Sequence, residues 1–250
     1  MTPPRRRAAA AAARETPALP RSALCVYAVT ASASRIARRG PAGEQIETIA
    51  AGRCAAVVGP VSRRPQPSPE NLRRFDAVIR MLWTQVPAVL PARFGTCAGG
   101  ADELREALTS RERPLVRDLR RVRGRAQMTV RVLPGGAAPD DPVASGATRH
   151  MEPPVTAQAS GSPQSGADHL RRLAAQAASD RHVPGFAPLR HAVRRWLREE
   201  RVEKHAAVIS VYHLVPRGSV DAYRRAIERA AAGSGLRVAI TGPHPPYAFA

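Results

Sequence analysis

The sequence predicts an α+β protein of two small domains, each laying helices against one face of a sheet. Three observations predict it. Apolar, β-branched runs at Leu24–Val29 and Cys54–Val58 precede an amphipathic helical stretch that begins at Pro69. A strand, a helix and a strand follow one another at 206–215, 219–232 and 236–240. Between the halves, 134–166 is rich in Pro, Gly, Ser, Ala and Thr without apolar periodicity, which marks a linker or insertion rather than a packed element.

The elements justify themselves in order. Residues 1–21, with Arg5-Arg6-Arg7 and the run Ala8–Ala13, read as a disordered low-complexity tail. The apolar run stops at Arg14 and Glu15 and is too short for a secretory leader. Leu24–Val29 is the first strand, and Ile46–Ala51 and Cys54–Val58 are two more around Gly52. Ser68-Pro69-Glu70 combines an N-cap, a proline at the first helical position and an acid at the positive end of the dipole. Leu72, Phe75, Ile79 and Leu82 then form one stripe, with Val78 beside it, so this helix packs on a sheet. Residues 102–108 and 115–122 are helical by the same pattern, burying Leu104, Leu108, Leu115, Leu119 and Val122. Met128, Val130 and Val132 alternate with polar neighbours as a half-buried strand.

The first domain is thus expected over 22–133 and the linker over 134–166. Helical segments at 169–178 and 189–202 then lead into the strand–helix–strand unit, in a second portion spanning 167–250. Ser219 is the expected N-cap of the helix that runs through Tyr223 and Ile227 to Ala232.

Residues 242–250 are unusual. Pro243, Pro245 and Pro246 lack the backbone N–H that helix and sheet interiors need. With four Phe, four Tyr and two Trp in 250 residues, Tyr247 and Phe249 are a concentrated share of the rings. Directly after a strand, this segment reads as part of the second domain's core.

Charge and composition narrow the function. The net charge of +19 points toward nucleic acid or another acidic surface. Lys204 is the sole lysine, however, and the many arginines are scattered among acids, as in Asp102-Glu103-Leu104-Arg105-Glu106. Arginines gather at Arg117, Arg120, Arg121, Arg123 and Arg125, but no aromatic strand motif or recognition helix accompanies them, so a solvated basic surface is favoured over a nucleic-acid groove. Cys25, Cys54 and Cys97 are widely spaced and fit neither a disulfide framework nor a zinc site. The seven histidines include no H-x-x-x-H or H-E-x-x-H spacing, and no serine sits in G-x-S-x-G. Cys97, after Gly95-Thr96, is the best candidate thiol nucleophile, weighed against the commoner role of cysteine as a small hydrophobe. The reading is a protein that is not an enzyme and needs no cofactor and no metal.

Two motifs converge on a family. Leu90-Pro91-Ala92-Arg93-Phe94-Gly95-Thr96 and Gly242-Pro243-His244-Pro245-Pro246-Tyr247-Ala248-Phe249 resemble segments of the GvpL/GvpF family of gas vesicle proteins, in that order and separation. His244 stands where the family usually has Trp, and Cys97-Ala98 replace a more apolar pair. The resemblance implies an N-terminal α+β domain and a C-terminal domain of modified ferredoxin-like form. It implies an accessory or minor structural role in gas vesicle assembly, in the cytoplasm and at the vesicle, contacting the hydrophobic shell protein and other accessory proteins. The motif residues Leu90, Pro91, Arg93, Phe94, Gly95, Thr96, Gly242, Pro243, Pro245, Pro246, Tyr247 and Phe249 become structural or partner-binding candidates. Arg93 reads either as a buried ion-pair partner holding the two domains or as a plain surface arginine.

Overall fold

A computed structural model describes residues 20, 22–133, 182–205 and 208–250. The expected tail apart from Pro20, the 134–166 linker and the 169–178 helix lie outside the described residues. The chain divides into two compact units, one of Met1–Arg125 with His244–Ala250, the other of Ala126–Pro243.

The first unit is built on a sheet ordered β2-β3-β1-β4, with β5 also on β1. Its strands are β1 (Leu24–Ala31), β2 (Glu47–Ala51), β3 (Cys54–Pro60), β4 (Leu90–Pro91) and β5 (Cys97–Ala98). β3 reads Cys-Ala-Ala-Val-Val-Gly-Pro and is buried over six consecutive residues, as expected of a central strand without a polar face. Its antiparallel partner β1 carries a register shift between Val26 and Ala28. Helix α1 (Pro69–Gln85) begins as the sequence predicts: the Ser68 hydroxyl accepts a hydrogen bond from the Asn71 N–H. Its stripe of Phe75, Val78, Ile79 and Leu82 is buried, and Val78 and Leu82 join Ala28, Val57 and Val89 in the core. Leu72 departs from the expected stripe and is 44% exposed. Helices α2 (Ala101–Ser110) and α3 (Glu112–Val122) complete the unit, burying Leu104, Leu108, Leu119 and Val122. Leu115 is only half-buried, because the first turn of α3 lies at its less covered end.

The second unit carries a four-stranded sheet ordered β7-β8-β6-β9, from β6 (Arg125–Leu133), β7 (Glu199–His205), β8 (Val208–Pro216) and β9 (Arg237–His244). Helix α4 (Ala187–Val193) lies between β6 and β7 in sequence, and α5 (Val220–Ala232) between β8 and β9. Numbered within this unit, the strand order is 2-3-1-4, the ferredoxin-like arrangement. Three expectations are corrected here. The strand at 125–133 does not close the first domain; it is a central strand of the second sheet, and its neighbours there supply the pairing that local alternation alone cannot assign. Residues 199–202 are strand rather than the end of a helix. Glu-Glu-Arg-Val-Glu-Lys-His has good helical propensity, but pairing with β8 overrides it, and its charges suit an edge strand. The third concerns Gly242 and Pro243, which continue β9 rather than leaving the sheet, because β9 is an edge and tolerates a missing N–H. The Gly242–Pro243 peptide bond is cis.

Ser219 does stand at the N-cap of α5, but its side chain makes no capping hydrogen bond. The core of this unit gathers Phe186, Leu189, Val211, Tyr223 and Ile227, all fully buried.

Candidate functional site

The clearest site lies in the first unit, where the two sequence motifs meet. Leu90 and Pro91 form β4, opposite Val29 and Ala28 of β1. The chain then turns. Arg93 O accepts the Thr96 N–H at 3.1 Å and the Thr96 hydroxyl at 2.7 Å. Gly95 sits inside this turn at φ +79°, a left-handed conformation that side chains resist. Thr96 O in turn accepts the Val26 N–H at 2.9 Å, returning the chain to β1. The R-F-G-T motif is therefore a hydrogen-bonded turn that carries Phe94. That ring meets Phe75 of α1 edge-on at 5.3 Å, and Phe75 meets Tyr27 at 5.4 Å.

The 244–250 segment folds onto this same unit, not into the second domain's core as its position after β9 suggests. The reason is that Pro245, Pro246 and Phe249 bury their apolar surface here, Phe249 completely. A 3-10 turn at Tyr247–Phe249 is closed by the Phe249 N–H on Pro246 O at 3.0 Å. Arg121 of α3 donates to Phe249 O at 2.7 Å. The Tyr247 hydroxyl donates to Asp76 Oδ1, while Asp76 Oδ2 accepts Arg80 Nε at 2.6 Å. Arg80 Nη2 reaches His244 Nδ1 at 3.1 Å. A guanidinium only donates, so Nδ1 is the acceptor, a role that a tryptophan indole cannot fill. Burial, then the hydrogen bond and charge of Asp76, push the Tyr247 phenol far above its ordinary range, so it remains a donor.

A groove of about 440 Å³ remains between these segments, lined by Leu72, Phe75, Pro91, Arg93, Phe94 and Tyr247 with Asp76 at its side. Leu72 and Tyr247, 44% and 37% exposed, are the two exposed large hydrophobic residues among the described residues, and both line this groove. Arg93 is exposed on its rim and makes no ion pair among the described residues, so the buried-partner alternative is corrected. Proline at 91 and glycine at 95 commit the local backbone to the turn and leave Arg93 pointing away from the apolar sheet. Leu90–Thr96 and Pro245–Phe249 are thus brought together, whereas Gly242 and Pro243 belong to the second unit. Asp76, Arg80 and Arg121 hold the segment; in the sequence Arg121 stands out only as one of a cluster of arginines, and the local signal for the other two is the i,i+4 pair Asp76–Arg80 on α1's outer face.

The second unit contains a buried polar cluster. His213, on β8, is fully buried; its Nε2 lies 2.9 Å from Glu200 Oε2 and its Nδ1 2.6 Å from the Tyr223 hydroxyl. Glu200 stands directly opposite His213 in the β7–β8 register and also binds Arg190 through two nitrogens at 2.9 Å. Burial, the largest single influence, works to raise the Glu200 carboxyl; hydrogen bonds from His213 and Arg190, then their charges, outweigh it and hold the group at about 2. Burial and then the Glu200 charge push the Tyr223 phenol far up. This arrangement cross-links β7 and β8 to α4 through Arg190 and to α5 through Tyr223.

Among the described residues no group of three or more His, Cys, Asp or Glu is placed to hold a metal ion, and no helix is long and apolar enough to cross a membrane. Cys97, offered by sequence as a loop thiol, lies in β5 opposite Cys25.

Comparison with known proteins agrees with the motif pair. No curated protein matches the chain. The fold is similar to the crystal structure of the gas vesicle protein GvpF from Anabaena sp. PCC7120, with a TM-score of 0.65 at 13% identity over 91% of this chain and 95% of that one. It is similar to GvpF from Microcystis aeruginosa as well, with a TM-score of 0.65 at 12% identity over 91% of this chain and 98% of that one. Because residues 23–250 match the family profile described as gas vesicle synthesis protein GvpL/GvpF, the chain belongs to the GvpL/GvpF family.

Proposed function

We propose that this protein is a non-enzymatic accessory or minor structural protein of gas vesicle assembly, acting in the cytoplasm and at the vesicle, and that the groove beside Leu72, Phe94 and Tyr247 receives the hydrophobic shell protein or another accessory protein. One observation carries the reading. Among the described residues the exposed large hydrophobic residues are not scattered; both lie in one groove, which the two segments that resemble the family form together with α1. Arg93 on its rim adds a cation for an acidic residue flanking an apolar partner segment, a contact that aids encounter more than affinity.

Co-purification of the full chain with the shell protein tests this. Wild type is expected to retain it, and Leu72→Glu, which places a charge in the groove, is expected to lower retention at least about tenfold, equivalent to about 1.4 kcal/mol. Retention unchanged in the variant removes the groove from the proposal. No association by wild type, together with normal vesicles in a strain lacking the gene, removes the assembly role.

The exposed arginines Arg113, Arg117 and Arg120 on α3 favour a second reading, nucleic-acid binding. Counterion release would then give a steep loss of affinity with salt. Fluorescence anisotropy with labelled DNA and RNA at physiological salt decides it, and no binding there rejects this reading.

A further inference from the structure

We propose that Cys25 and Cys97 form an oxidatively closed cross-strand disulfide that clips β5 to β1, making this strand pair a redox modification site. The two residues are direct register partners in the antiparallel β1–β5 pair. The Val26 N–H donates to Thr96 O at 2.9 Å, at the facing pair one position along the ladder. Cys25 and Cys97 therefore occupy a site whose backbone groups do not bond each other, the closer of the two antiparallel spacings. There the Cα atoms lie about 4.5 Å apart and the Cβ atoms about 4.5–5.5 Å, against about 4.4–6.8 Å and 3.5–4.5 Å in disulfides. A small adjustment of a two-residue strand closes that difference. Directly opposed residues of neighbouring strands point to the same side of the sheet, and the Cys97 sulfur is near enough to add to the upward push on the Cys25 thiol.

Access differs between the two sulfurs. Cys25 is 3% exposed, and burial, then its neighbour Cys97, raises its thiol to about 12. Cys97 is half-buried and is the sulfur that an oxidant reaches first. Hydrogen peroxide is the oxidant class. The Cys97 sulfur attacks one peroxide oxygen, the O–O bond breaks, and Cys97 sulfenic acid forms with release of one water. The Cys25 sulfur then attacks the Cys97 sulfur; the S–O bond breaks and the departing hydroxide takes the Cys25 proton as a second water. Two thiols lose two electrons and two protons, and one peroxide becomes two waters. Cys54 opposes Ala31 and Ala51 in its own strand pairs and has no cysteine partner. The fold thus brings into register two cysteines whose wide spacing in the sequence suggests no disulfide.

The consequence is local. Thr96, which closes the Phe94-presenting turn, immediately precedes Cys97, so the disulfide ties that turn covalently to β1. The test is titration of the folded full chain with hydrogen peroxide, then alkylation under denaturing, non-reducing conditions and peptide mass spectrometry. The expected result is loss of two of the three alkylatable thiols and a dithiothreitol-reversible link between the Cys25 and Cys97 peptides. Cys25→Ser is expected to stop at Cys97 sulfenic acid, captured by dimedone, and Cys54→Ser to close the link as wild type does. Three thiols remaining after excess peroxide overturns the proposal. So does a link through Cys54, a Cys97–Cys97 dimer, or Cys97 sulfinic acid with Cys25 still reduced.

Discussion

The Tyr247 hydroxyl donates its hydrogen bond to Asp76, 171 residues earlier in the chain and near the middle of α1. The same carboxylate holds Arg80, so one side chain organises both the helix surface and the segment laid across it. Phe249, two residues on, is fully buried, and these neighbours anchor the segment with very different strength.

Deleting the Tyr247 hydroxyl removes one hydrogen bond to a charged group. Both partners are more than a third exposed, which screens the interaction. Tyr247→Phe is expected to lower stability by about 1 kcal/mol, and Phe249→Ala by about 3–5 kcal/mol through lost burial and the cavity left behind. Urea unfolding of the full chain, followed by fluorescence of Trp83 in the first unit, measures both. Equal effects of the two substitutions would mean that the hydrogen bond anchors the segment as strongly as apolar burial does, contradicting the ranking.

Much of this fold was legible because its signals are local. Ser68-Pro69-Glu70 names a helix start without help from distant residues, and the Phe75–Val78–Ile79–Leu82 stripe names its buried face. What was not legible depends on partners far along the chain. Residues 199–202 continue a helical composition and become strand only through β8. The 125–133 strand alternates as any half-buried strand does, and nothing in that alternation says which sheet will accept it. The site divides the same way. Gly95 and the two motifs were visible as unusual letters, but Leu72 was read as core because its helical position matches the stripe. Its exposure follows from where the stripe ends, beside a groove bounded partly by a segment 175 or so residues later. Asp76 and Arg80 read as an ordinary solvated i,i+4 pair until Tyr247 and His244 arrive.

The presenting turn rests on Gly95. A methyl group at this position meets no atom within 4 Å, so space does not forbid it; the left-handed φ of +79° does. Gly95→Ala is expected to cost about 1–2 kcal/mol from backbone strain alone. Gly242 differs: φ is +119° and a Cβ would lie 2.8 Å from Gln127 O and 2.9 Å from the Met128 sulfur. Gly242→Ala therefore adds a clash with strand β6 to the same strain and is expected to be the more damaging substitution. Urea midpoints of the two variants check the ranking, and a Gly95→Ala protein at least as damaged as Gly242→Ala contradicts it.

Acid should act on the second unit through Glu200. Its carboxyl sits at about 2 in the folded protein against an ordinary value of 4.5, with Arg190 and His213 as the groups facing it. A carboxyl lowered by folding stabilises the native state fully above its unfolded value, and loses that contribution as pH falls through the folded one. The difference of roughly two and a half pH units corresponds to about 3 kcal/mol, present at pH 7, declining below about 4.5 and gone near 2. Glu200→Gln keeps the side chain's shape but leaves Arg190 without its counter-charge, and is expected to be less stable than wild type by about 2–3 kcal/mol at pH 7. The two proteins should then converge as the pH approaches 2, because protonated Glu200 resembles the amide. Urea unfolding at pH 7, 4.5 and 2.5, monitored by Trp196 fluorescence in the second unit, measures the gap directly. A gap that stays constant across that range would show that Glu200 contributes by shape and hydrogen bonding, and that its charge contributes nothing.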